Sequence, residues 1–92
     1  MNDKQDKWRV VVMKQPQKAL RRMPKNLRER IRQSIWVLAE DPFPLGHKKL
    51  IGFSNSYRIR VGDWRIVYTV ENDLLLILVI RIAPRGSAYQ NL

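Results

Sequence analysis

The sequence predicts an α+β domain: an N-terminal strand, a helical hairpin and an antiparallel three-stranded meander, with the strands forming one twisted sheet. Two observations carry this. Residues 57–82 hold three β-rich runs separated by the turn sequences Gly62-Asp63 and Asn72-Asp73. Upstream, Leu27, Ile31, Ile35, Leu38 and Ala39 recur at helical spacing and share one face at about 100° per residue. Such a stripe needs an apolar surface to cover, and the meander offers one.

The elements follow in order. Residues 1–7 (MNDKQDK) read as a flexible tail, leaving residues 8–92 as a single domain, the natural partition of a 92-residue chain. WRVVVM (Trp8 to Met13) is a strand. Pro16 opens a short helix through Met23, because proline is tolerated in a first helical turn. Pro24 restarts the chain into a longer helix that runs to about Glu40. Asp41-Pro42 stops it, since the residue before proline avoids the helical region. Trp36 and Val37 lie off the apolar stripe, facing the first helix or a partner. DPFPLGHKK is a loop. Strands then span Tyr57 to Val61, Trp64 to Glu71 and Leu74 to Ile82. Glycine at the first position of Gly62-Asp63 is the signature of a type II′ hairpin.

Lys and Arg number 18 against 8 Asp and Glu, a net charge of +10. That surplus repels itself and suits a polyanionic partner: nucleic acid, an anionic membrane or an acidic protein. With no cysteine there is no disulfide framework and no cysteine zinc site. No acidic cluster has metal-ligand spacing, so neither metal nor cofactor is expected. The longest apolar run, LLLILVI (Leu74 to Ile80), is too short to span a bilayer, and no secretory signal opens the chain. The expectation is a cytoplasmic protein without a membrane partner.

Strand side chains alternate between faces, so Arg58 and Arg60 share one face and Tyr57, Ile59 and Val61 the other. A two-residue turn pairs Val61 with Trp64, which sets Arg60 opposite Arg65 and Arg58 opposite Val67. Like charges directly opposite are destabilising. Either the long side chains splay into water, or a phosphate sits between them. A tight turn at Asn72-Asp73 would set Arg81 opposite Trp64, so that the chain leaves the sheet beside Gly62-Asp63. Arg85 and Tyr89 then emerge where Arg60 and Arg65 lie. Guanidinium forks match phosphate oxygens, and a phenol ring stacks on a base. Arg21, Arg22, Lys25, Arg28, Arg30 and Arg32 form a basic helical run, either a solvated face or a docking face for RNA. His47, the only histidine, falls in the proline-rich loop.

The order strand, helical hairpin, then YRIRVGDWRIVYTV and LLLILVIRIAPRGSAY resembles the RelE/ParE superfamily of bacterial toxins. The resemblance spans nearly the whole chain and is most specific from Leu50 to Tyr89. It implies the toxin of a type II toxin–antitoxin system. In the RelE branch such toxins are messenger-RNA endonucleases that act in the decoding (A) site of the ribosome and are held inactive by a cognate antitoxin, here expected to be acidic. It also implies residue roles: Arg58 and Arg60 as the paired basic residues of the first meander strand, Arg65 as the phosphate-binding arginine of the next. Arg85 is the basic residue after the last strand, and Tyr89 the terminal aromatic beside the flanking bases. The positive charge of nearby arginines would favour its phenolate and make it a proton carrier; the alternative is a C-terminal aromatic that caps the core. Arg21, Arg22, Lys25, Arg28 and Arg32 would meet ribosomal RNA. The chain departs from the family at Pro84, where many members place histidine and some lysine. Arginine is a poor general base, being always protonated. The resemblance therefore carries phosphate binding further than proton transfer. Two other readings stay open: a ParE-like inhibitor of DNA gyrase, and a basic RNA-binding module without catalysis.

Overall fold

Alternation along the strands decides which side of the sheet becomes core. The computed structural model describes residues 7–86. Of the predicted tail, residues 1–6 lie outside the described residues, as does Tyr89. The elements are β1 (Arg9–Val12), α1 (Lys14–Arg21), α2 (Lys25–Glu40), β2 (Lys48–Lys49), β3 (Ser56–Val61), β4 (Trp64–Glu71), a 3-10 turn (Asn72–Leu74) and β5 (Leu76–Pro84). They form one five-stranded sheet in the order β1-β5-β4-β3-β2. β1 runs parallel to β5, and every other pair is antiparallel.

One sheet face is apolar along its length: Ile59 and Val61 from β3, Ile66, Tyr68 and Val70 from β4, Ile77, Val79 and Ile82 from β5. The helical hairpin covers it with Leu20, Met23, Ile31, Ile35 and Leu38, and Trp8 joins from the chain before β1. The predicted stripe of α2 is thus the buried one. Trp36 and Val37 remain exposed, as their position off the stripe requires. No helix of the described residues is long and apolar enough to cross a membrane.

The helix boundaries differ slightly from expectation. α1 begins at Lys14, so Pro16 is its third residue, still inside the first turn where a missing N–H goes unneeded. It ends at Arg21, where the Arg22 and Met23 amides donate back to Ala19 and Leu20. α2 stops where predicted, with Asp41 extended at φ −149° before Pro42. The Gln15 side chain bonds both backbone groups of Ile82, donating to its carbonyl at 3.1 Å and accepting its N–H at 3.0 Å. It thereby stands in for a strand beside β5, beyond the end of β1.

The β3–β4 hairpin has the predicted register, with Gly62 at φ +59°. The β4–β5 pairing does not. Arg81 lies opposite Val67, and Trp64 faces Pro84. The predicted two-residue turn is a four-residue connection: a 3-10 turn, then Leu75 in the left-handed region at φ 48°. A bulge between Val67 and Tyr68 leaves Ile80 as an extra residue on β5. The turn and the bulge together move Arg81 from opposite Trp64 to opposite Val67. The predicted proline-rich loop also needs correction, because Lys48 and Lys49 pair with Arg58 and Tyr57 as a short edge strand. The fold-back through Gly52 (φ +86°) and Asn55 (φ 54°) allows it, and the Leu50 N–H closes it on the Ser56 carbonyl at 2.9 Å.

Candidate nucleic-acid interface

The sheet face away from the helices is where the basic residues gather. The register lines Lys48, Arg58, Val67 and Arg81 in one row across four strands, and Arg60, Arg65 and Ala83 in the next. Leu50, Val67 and Ala83, with Ile80 packed on them, form a small apolar cluster on this face. Apolar side chains thus separate the cations and shield part of them from water.

Arg60 is exposed, but Arg65, directly opposite it, is only 8% exposed. The Nη1 groups of Arg65 and Arg58 are both buried and make no hydrogen bond. A buried donor left unsatisfied costs about 1–3 kcal/mol, more when charged. Among the described residues the salt bridge joins Arg32 to Glu29 on α2, at 3.4 Å, and involves none of Arg58, Arg60 and Arg65. Arg58 and Arg65 thus keep desolvated, unneutralised donors beside the exposed charge of Arg60, a set of the kind that anionic oxygens satisfy.

Arg85 enters the same end of the sheet. Its N–H donates to the Asp63 carbonyl at 2.8 Å, which fixes the chain leaving β5 against the β3–β4 turn. The structure therefore brings Arg60, Arg65 and Arg85 to one end, with Arg58 one step along β3. Lys48 and Arg81, which sequence reasoning left out, belong to the same face. A signal for Arg81 was present: the buried apolar residues of β5 run Ile77, Val79, then Ile82, and that break in phase marks the bulge. Lys48 had no comparable signal.

Apart from Arg30, the helical cations lie away from these rows. Arg21, Arg22, Lys25 and Arg32 are exposed on the hairpin, which packs on the other face of the sheet. Arg28 departs from the predicted solvent-facing run: it is partly buried, and its Nη2 donates to the Met23 carbonyl at 3.2 Å. It ties α2 to the turn between the helices. Arg30 reaches the β3–β4 turn and lines a groove with Arg60 and Gly62.

His47 is structural in its surroundings. Its Nδ1–H donates to the Pro44 carbonyl at 2.9 Å, and its ring packs against Phe43 and Tyr57. Tyr68, stacked on Tyr57, is wholly buried on the core face and donates to the Pro42 carbonyl at 2.6 Å. Burial pushes its phenol well above the ordinary tyrosine range, with Tyr57 and Asp41 adding to the shift. Among the described residues no group of three His, Cys, Asp or Glu side chains is placed to hold a metal ion.

The family described as the ParE toxin of the type II toxin–antitoxin system parDE matches residues 7–89. The chain belongs to the RelE/ParE superfamily of type II toxins. Its relatives carry RelE names. A protein named RelE1 from Methanocaldococcus jannaschii is 31% identical over 88 residues, covering 92% of this chain and 98% of its own. Toxin RelE3 of the same organism is 34% identical over 76 residues, covering 78% and 84%. Among solved structures, the archaeal RelE–RelB complex from Pyrococcus horikoshii is similar at a TM-score of 0.78 and 33% identity, covering 89% of this chain and 99% of that one. These likenesses place this toxin in the RelE-like branch, and the α+β class predicted from the sequence is the one the relatives share.

Proposed function

We infer that this toxin cleaves messenger RNA on the ribosome, using the RNA's own 2′-hydroxyl as nucleophile. The observation that supports this best is the pair Arg60 and Arg65, facing each other across a rigid hairpin, with Arg65 buried and its Nη1 unbonded. In the reaction a bond forms between O2′ and phosphorus while the bond from phosphorus to O5′ breaks. The 2′-hydroxyl gives up a proton, the leaving O5′ takes one, and a cyclic phosphate remains. Negative charge gathers on the phosphoryl oxygens. Arg60, Arg65 and Arg85 would bind those oxygens, and preorganised charge aimed at a developing anion is commonly the largest catalytic contribution. Always protonated, they leave proton transfer to other groups, with Tyr89 the candidate from the family pattern. The test is primer extension on programmed ribosomes. Cuts are expected in the messenger at the A site, and a 2′-deoxy nucleotide at the cut position is expected to abolish them.

The ParE description of the matching family favours a second reading, a toxin that acts on DNA gyrase. DNA breaks in a gyrase assay, without cuts in ribosome-bound RNA, would establish it instead.

The inhibitory partner would be an acidic antitoxin. The Pyrococcus relative and a Methanococcus jannaschii relative of 31% identity are each seen in complex with RelB. In this chain a groove of about 630 Å³ runs beside β1, lined by Val10, Val12, Leu20, Ile35 and Trp36 and flanked by Arg21 and Arg32. β1 is an edge strand, and edges of this kind accept an added strand. Trp36, 60% exposed, would anchor the antitoxin. Trp36→Asp is expected to weaken the complex about 100-fold by calorimetry, the scale of one aromatic anchor. The variant would then keep cutting RNA at antitoxin concentrations that silence the wild type.

A further inference from the structure

The face that carries Arg60 and Arg65 holds a second cationic feature. Lys48, Arg58 and Arg60, with Leu45 and Gly46, line an open hollow of about 360 Å³. The short strand β2 builds it by setting Lys48 directly beside Arg58. Two of its cations lie on neighbouring strands, and all three share a face. Arg58 Nη1 is buried without a hydrogen bond, so one of the lining guanidinium groups keeps an unsatisfied donor.

The segment that carries Lys48 is held firmly. The His47 N–H and Nδ1–H both donate to the Pro44 carbonyl, at 3.0 and 2.9 Å. The His47 ring packs on Phe43 and Tyr57, and Tyr68 holds the Pro42 carbonyl at 2.6 Å. The single histidine and the aromatic cluster thus fix the strand that carries Lys48. A preformed cation cluster binds an anion without first ordering a loop.

We propose that this hollow is a second phosphate subsite, taking the phosphodiester next to the one that is cut, with Lys48 as its distinguishing residue. The inference rests on the RNA-cleaving reading above. Arg58 and Arg60 are two residues apart on β3, a separation of about 6.8 Å along the strand. That is of the order of the step between successive phosphates in an extended single strand. Arg60 would touch both phosphates, which makes the hollow and the Arg60–Arg65 site one continuous track. A polyanion with regularly spaced charges fits such a track better than the scattered carboxylates of an acidic protein. Lys48 would contribute as a point charge on a flexible stem, giving affinity without demanding a base.

The test measures binding of a short single-stranded RNA that carries a 2′-deoxy nucleotide at the cut position, so that affinity is read without turnover. Lys48→Ala is expected to lower affinity about fivefold and to reduce the slope of log affinity against log salt by about 0.7, the share of one phosphate on a single strand. Replacing the neighbouring phosphodiester with an uncharged methylphosphonate should weaken wild-type binding by more than this, because Arg58 and Arg60 lose the same charge. It should weaken Lys48→Ala by a smaller factor than it weakens the wild type. On programmed ribosomes most of the Lys48→Ala defect should fall on KM. Equal RNA affinity and equal salt slope in wild type and Lys48→Ala would overturn the proposal, as would additive losses from the substitution and the neutral linkage. A loss confined to antitoxin binding would overturn it too, assigning the hollow to the protein partner. Should the wild type bind the RNA with this signature and yet leave ribosome-bound messenger uncut, the cleavage reading would fail while the subsite stood.

Discussion

Replacing Arg65 with alanine is expected to slow single-turnover cleavage of ribosome-bound messenger by about 10²–10³-fold, the usual effect of removing one donor to a developing anion. Ribosome docking should survive, because the exposed helical cations are untouched. Arg65→Lys should fall between alanine and wild type, since an ammonium keeps the charge but loses the planar fork that grips two oxygens. The structure adds a stability counterpart. Arg65 is nearly buried, lies beside Ala83 and faces Arg60, and its Nη1 is unsatisfied. Methionine would keep most of the side-chain volume and remove both the repulsion and the orphaned donor. Arg65→Met should therefore be more stable than wild type in urea, by about 0.2–1 kcal/mol from the opposed charges alone, and inactive. A fully active Arg65→Ala would remove the phosphate from between these strands. An Arg65→Met less stable than wild type would show that the guanidinium is held by favourable contacts.

Tyr68 carries the largest expected effect on folding. Its ring is wholly buried, stacked on Tyr57, and its hydroxyl holds the carbonyl of Pro42. Tyr68→Ala should cost about 3–5 kcal/mol, as other large aromatic truncations do, out of a net stability of about 5–15 kcal/mol for a domain. Tyr68→Phe isolates the hydrogen bond: the Pro42 carbonyl would stay buried without its donor, at about 1–3 kcal/mol. The two variants also separate by pH. Because the folded state raises the Tyr68 pKa, its proton is bound more tightly when folded than when unfolded. That contribution is complete below the ordinary tyrosine value of about 10 and is lost as pH climbs from there through the raised value. The stability gap between wild type and Tyr68→Phe should hold steady up to about pH 10 and narrow above it. A gap that widened in alkali would contradict a neutral buried phenol.

Much of the site could be read from sequence because one hairpin fixes it. A two-residue type II′ turn leaves no freedom in register, so Gly62-Asp63 alone sets Arg60 opposite Arg65. The apolar stripe of α2 was equally legible, since its period admits one buried face. The β4–β5 register was not. The tight turn predicted at Asn72-Asp73 is longer, with Leu75 taking a left-handed conformation that its side chain does not announce, and the bulge at Ile80 appears only as a break in apolar phase. Arg81 was missed for that reason, and Lys48 because the two-residue strand that pairs it with Arg58 lies in a stretch that reads as a proline-rich loop. Arg28 was misread because periodicity places a cation on a helix surface but does not say that its guanidinium will turn inward to a backbone carbonyl.

The strand order has a consequence for how such a toxin is made. β5 lies between β1 and β4, so the first strand of the sheet has no partner until the last has been synthesised. The Arg65 side chain likewise lacks its Ala83 neighbour, and Arg85 its anchor on Asp63, until that stretch has left the ribosome. Chains emerge at about 5–20 residues per second, and pairings this distant in sequence form later than local ones. A nascent chain thus carries at most the local β3–β4 hairpin, without the β5 side of its arginine face, until that last stretch has emerged. On the ribosome-directed reading proposed above, the topology leaves the site unfinished on the very chain that a ribosome is still making.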